Sequence, residues 1–153
     1  MIPEGLKPIQ AIVPQAGGAI TGDYINLAQV EKLWIIVQQA GAAANTMAIT
    51  IEKATGDAAG NIAITEAVPI WSDLDTPTSD LLVKRTDAVS YTTDAGVTAK
   101  LIVFEINPDK LGATYTWIVV KTGASAAANI TSALYLAKLK YESAVINQAS
   151  LLV

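Results

Sequence analysis

Carboxylates are the first residues in this sequence that could do chemistry. Asp73 and Asp75 flank Leu74, and Asp80 follows in the same polar stretch. Such a cluster could offer oxygens to a calcium ion. It lacks the spaced ligands and the glycine of an EF-hand loop, and aspartates in loops more often serve turns. Glu52, Glu66 and Glu105 form a second set. Two carboxylates facing each other across a cleft would suit glycoside hydrolysis. Nothing in the sequence brings two of these together, and each fits an outward position on a strand. Trp34, Trp71 and Trp117, with the tyrosines, could stack on sugar rings. Aromatic residues make up only 6% of the chain and are dispersed, so core and interface packing is the plainer reading. Gly17 and Gly18 match no phosphate-cradling pattern, and Gly56 and Gly60 sit in a hairpin-like turn rather than between a strand and a helix.

What is missing narrows the chemistry further. The chain contains no cysteine and no histidine. Zinc sites built on those residues are excluded, as are Cys-His and Ser-His-Asp nucleophile systems. No nucleophile–base pair remains, so the expectation is a protein that is not an enzyme and needs no cofactor or metal. The 10 basic and 14 acidic residues leave a net charge of -4. Arg85 is the one arginine, and Lys32, Lys53, Lys100, Lys110 and Lys121 are scattered singly. A nucleic-acid ligand calls for a basic stripe, which is absent.

The 153 residues suit one domain. With 52% hydrophobic and 16% charged residues, the chain is too apolar for disorder and poorer in charge than the roughly 25% of an ordinary domain. A membrane helix is not expected, because apolar runs such as residues 33–37 fall far short of roughly 20 positions. The first five residues carry no basic region followed by an apolar stretch, so no signal peptide is expected.

Residues 1–22 hold Pro3, Pro8, Pro14 and several glycines, a density that opposes helices and long central strands. They read as an extended N-terminal arm with a short strand at 9–13, packed on its own domain or on a neighbour. Strands are expected at 31–38, 47–53, 62–68, 81–85, 100–106, 114–121 and 133–141, with a further one within 86–93. In the second of these Met47, Ile49 and Ile51 alternate with polar residues. Pro69 suggests an edge or a break, residues 72–80 a polar loop, and Asn107-Pro108 a turn. About eight short strands separated by turns point to an all-β fold. The expected architecture is a jelly-roll-like antiparallel β-sandwich over 23–141, with the arm at 1–22 and an apolar tail at 142–153.

Several strands are apolar on both faces, at 33–37, 101–104 and 118–120. A sandwich strand normally turns one face to water. Either these are buried central strands, or other subunits cover part of the surface.

The order of segments is itself informative. Gly18 to Leu27 leads into an apolar strand, and Ala48 to Asp57 runs into a glycine turn. Phe104 to Leu111 is followed by the aromatic strand Tyr115 to Val120, and then by Ala133 to Tyr141. In that order they resemble the capsid decoration, or auxiliary head, proteins of tailed bacteriophages over residues 18–141. The resemblance implies a β-rich virion protein that binds and stabilises the outside of the shell. Its partners would be the major capsid protein and its own copies in a homotrimer, with neither nucleic acid nor membrane involved. It would be made in the host cytoplasm and placed on the capsid surface. The residues expected to make contact are Ile2, Leu6, Ile9 and Ile12 of the arm and Leu151, Leu152 and Val153 of the tail. A tail-tube or head-completion subunit and a carbohydrate-binding surface module are the rival readings.

Overall fold

The computed structural model describes residues 6–141 and 150–152. In chain order the strands are β1 (Leu6–Ala16), β2 (Ile20–Thr21), β3 (Ile25–Asn26), β4 (Val30–Ala40), β5 (Ala48–Ala54) and β6 (Ile62–Ala63). They continue as β7 (Ile70–Asp73), β8 (Val83–Lys84), β9 (Ser90–Thr92), β10 (Lys100–Ile106), β11 (Trp117–Thr122) and β12 (Ile130–Leu139). The first sheet has the order β1-β12-β4-β10-β7-β8; the second has β2-β11-β5-β6, with β3 also on β11 and β9 also on β5. The pairings are antiparallel throughout, as in β4 with β10 and β12, and in β11 with β5. The chain is an antiparallel β-sandwich, as its strand and turn spacing predicts.

Alternation drives the packing. In β4 Leu33, Ile35 and Val37 point inward, and in β10 Ile102, Phe104 and Ile106 do the same; all are fully buried. From the second sheet Ile49, Ile51, Ile118 and Val120 meet them in one core. Burying side chains of this size is worth roughly 1.5–3 kcal/mol each, which is the main force holding the sheets together.

One polar group crosses that core. Tyr135 of β12 is fully buried. Its hydroxyl donates to the Asp23 carbonyl at 3.0 Å and accepts from the Val120 amide at 2.9 Å. These two backbone groups belong to the second sheet at the place where β2 and β3 part. Thr21 pairs with Lys121 and Ile25 with Ile118, so residues 22–24 face only Val119 and Val120. The phenol therefore completes the ladder where the backbone bulges. Burial pushes its pKa well above the ordinary value. Gly22 lies beside this bulge, and a Cβ there would stand 2.9 Å from the Ala11 carbonyl oxygen.

Of the two placements left open for the N-terminal segment, residues 6–16 take the chain's own domain. They form an edge strand longer than the expected 9–13, with Leu6 opposite Lys138 and Ala16 opposite Ile130. Ile9 and Ile12 are buried in the core. The prolines are tolerated because an edge strand can spare an amide on its open side. Register shifts between Gln10 and Ile12 and between Ile12 and Gln15 absorb the irregularity.

Pro69 lies in the break between β6 and β7, directly before β7, and its carbonyl accepts from the Glu105 amide at 3.0 Å. The expected strands at 62–68 and 81–85 shrink to the pairs Ile62–Ala63 and Val83–Lys84. The Asn107 turn forms as expected: its side chain accepts from the Asp109 amide at 3.0 Å and caps a single 3-10 turn, Pro108–Lys110.

Candidate functional site

The carboxylates expected to be worth testing are kept apart. Asp73 is buried and accepts from the Asp75 amide at 3.0 Å, while Asp75 accepts from the Thr78 hydroxyl at 2.6 Å. Both are committed to shaping the loop. Asp80 is exposed nearby. Each of the three glutamates has its own lysine. Glu52 meets Lys121 at 2.6 Å, Glu105 meets Lys32 at 3.0 Å, and Glu66 meets Lys53 at 3.1 Å. The Thr65 hydroxyl, together with Lys53, brings the Glu66 pKa down to about 2. A carboxylate held ionised in this way accepts hydrogen bonds and does not donate a proton near neutrality. Lys53 itself is buried, with its ammonium 4.8 Å from the Tyr115 ring centre, so it closes one rim of the sandwich. At another rim the buried Lys100 donates to the Asp94 and Gly96 carbonyls, at 3.1 and 2.5 Å, and tethers that loop.

The tryptophans do not make a sugar platform either. Trp117 is buried in the second sheet. Trp71 is half-buried with the Lys84 ammonium 4.7 Å over its ring, so one face of the indole is occupied. The Trp34 indole donates to Glu105 at 3.3 Å.

What the strands do build is a continuous apolar surface on the outer face of the first sheet. Register sets it out in rows. Leu134, Ile36, Val103 and Trp71 are neighbours across four strands. Leu136, Trp34 and Glu105 form the adjacent row, and Gln38 and Leu101 the next. Leu134 stands out as exposed; Trp34, Ile36, Leu101, Val103 and Leu136 are half-buried by one another. No described residue lies over them as a second layer. A shallow groove of about 430 Å³ runs along this face between Gln10, Pro14, Ile36 and Leu134. The charges at its margin are matched, Lys32 with Glu105 and Lys138 with Glu31 at 2.9 Å.

The residues expected to make contact fare differently. Ile9, Ile12 and Leu151 are spent on the chain's own core, a correction to their expected role as free contact residues. Leu6 is half-buried and Leu152 is exposed. Ile2 and Val153 lie outside the described residues. Sequence reading came near the true surface through the two-faced strands at 33–37 and 101–104. The third such strand has the other explanation, because Ile118, Val119 and Val120 are all buried within the chain. It passed over Leu134 and Leu136, which complete the face, and Leu81 to Val83, which project beside it.

The fold and this face define an antiparallel β-sandwich that presents an apolar sheet surface. No protein-family model matches the chain, and no curated protein matches it. Among solved structures, the SPBc2 prophage-derived protein YomS aligns over 90% of this chain and 96% of its own, at 9% identity and a TM-score of 0.48. A CBM4 structure aligns over 91% of this chain and 71% of its own, at 10% identity and a TM-score of 0.35. A structure of infectious bursal disease virus, Gx strain, aligns over 86% of this chain and 39% of its own, at 13% identity and a TM-score of 0.28. At these scores none of them carries a role over to this chain.

Proposed function

We propose that the chain is a non-enzymatic structural protein of a phage virion that binds and stabilises the outer surface of the capsid as a homotrimer. The observation that supports this reading is the uncovered apolar face of the first sheet, in a chain whose Glu52, Glu66 and Glu105 are each paired with a lysine. Such a protein works through area. At roughly 25 cal/mol per Å², burying a standard interface supplies ample gross driving force, most of which association costs offset. Repetition over a shell turns a modest contact into a large total stabilisation. The segment order that resembles decoration proteins points the same way.

Light scattering after size exclusion, followed by cosedimentation with undecorated shells, tests the reading. A trimer that saturates the shell and raises its disruption temperature is the expected result. Rings of six or more without shell binding would move the assignment to a tail or head-completion subunit. Saturable binding to glycans with no shell occupancy would favour a carbohydrate-binding module and overturn the proposal.

A further inference from the structure

A second apolar feature stands at the far edge of the same sheet. Leu81, Leu82 and Val83 are 66%, 41% and 42% exposed, three consecutive large apolar side chains beside the short strand β8. They form a knob. The stacked pair Trp71 and Lys84 lies between this knob and the outer face centred on Ile36 and Leu134. Within one chain, face and knob are adjacent but separate.

We infer that they are two halves of one contact between copies of this chain: the knob of one subunit seats on the apolar face of the next. The inference deepens the self-association in the proposed function and rests on that part of it alone. Charge is the first argument. The face has no free charge at its centre; of its marginal charges Glu31, Lys32, Glu105 and Lys138 are paired among themselves, and Lys84, stacked on Trp71, is paired with Asp87. A charged partner would have to bury its charges against hydrocarbon, at a cost of several kcal/mol. The knob brings no charge at 81–83 and is flanked by Asp80 on one side and Lys84 and Arg85 on the other, the same mixture of signs as the margin it would meet.

Area is the second. At strand spacings of about 4.8 Å and pleat repeats near 7 Å, the face covers roughly 400 Å². That is about half of what each partner gives to a standard interface. One face-to-face pair would therefore be weak. A ring in which each subunit lends its face to one neighbour and its knob to the other buries about twice as much per subunit, and leaving it means breaking two contacts at once. Two different patches joined head to tail form closed rings, and a turn of one third gives the trimer.

The absence of cysteine makes a direct test available. Leu82→Cys and Leu134→Cys chains are co-expressed, purified together and mildly oxidised. Disulfide-linked dimers in the mixture, and none from either variant alone, are expected. A doubly substituted chain should give linked trimers. Leu134→Glu, at an exposed position, should keep the circular dichroism spectrum and lower the solution mass three-fold. Linkage of Leu134→Cys to itself would mean a face-to-face pair and overturn the inference. So would an unchanged mass for Leu134→Glu. If that variant keeps its mass but loses shell occupancy, the face belongs to the shell; the capsid reading stands and this inference falls. A ring that links as expected but binds no shell sustains the inference and sinks the capsid reading.

Discussion

Replacing Tyr135 with phenylalanine removes one oxygen atom and leaves the ring to fill the same space. The loss falls on two backbone groups, the Val120 amide and the Asp23 carbonyl, which the phenol hydroxyl joins at 2.9 and 3.0 Å. Tyr135 and Val120 are fully buried, so bulk water does not reach the amide; the bond to the Asp23 carbonyl is part-buried. A buried backbone group left without a partner costs about 1–3 kcal/mol. With the amide fully buried and the carbonyl only partly so, the expected destabilisation is about 2–4 kcal/mol. For a domain of this size that corresponds to a fall in Tm of about 5–15 °C. Urea unfolding followed by tryptophan fluorescence gives the free energy directly, and the slope m should stay unchanged. Hydrogen exchange at the Val120 amide should accelerate in the variant, since the donor is freed locally. A loss below about 0.5 kcal/mol, with Val120 exchange unaltered, would show that the hydroxyl is not what completes the ladder.

Other perturbations test other parts of the structure. Glu66 has its pKa lowered from 4.5 to about 2, so its contact with Thr65 and Lys53 stabilises the fold above pH 4.5 and is lost as pH falls toward 2. The Tm difference between wild type and Glu66→Gln should be widest above pH 4.5 and should vanish near pH 2; a difference independent of pH would refute the ion-pair account. Gly22→Ala puts a methyl 2.9 Å from the Ala11 oxygen and 3.0 Å from the Val120 oxygen, both backbone atoms. It should lower the unfolding free energy by about 1–3 kcal/mol, as overpacking does. Deleting residues 1–14 takes Ile9, Ala11 and Ile12 out of the core along with most of an edge strand. The truncated chain should lose cooperative unfolding in calorimetry, whereas a detachable arm would leave the transition intact.

Much of the fold was legible because strands announce themselves through period two. Residues 47–53 and 100–106 alternate cleanly, and both became strands within a residue of the expected limits. The turn at Asn107 was legible because asparagine before proline leaves the backbone few choices. The misplaced bounds gather at prolines. Their density argued for only a short strand at 9–13, yet Pro8 and Pro14 sit in an 11-residue edge strand, and Pro69 leads straight into β7, an inner strand. Whether a strand is central or at an edge depends on its neighbours in space, which local sequence does not state. The candidate surface was half legible for the same reason. Strands apolar on both faces said that something must cover them, and only the pairing of β12 between β1 and β4 shows which side stays open. Nothing local told Ile118 to Val120, buried by their own chain, from Trp34 and Ile36, which are not.

The place of β12 has a consequence for how the chain is made. Its two neighbours in the sheet are β1 and β4, with Ala16 opposite Ile130 and Leu33 opposite Ala137. β4 can pair with β10 beforehand, but β1 has no other strand partner and waits for β12 to be synthesised. At about 5–20 residues per second, the N-terminal strand leaves the ribosome on the order of 5–20 s before its partner exists. Until then β1 is not joined to β4 in the first sheet, and the hydroxyl that splices the second sheet is also absent. Folding of this domain is therefore expected to wait until β12 has emerged from the ribosome, set by the closure of contacts distant in sequence. A nascent chain stalled before residue 130 should remain open to protease along β1, and one stalled with residue 139 clear of the exit tunnel should not.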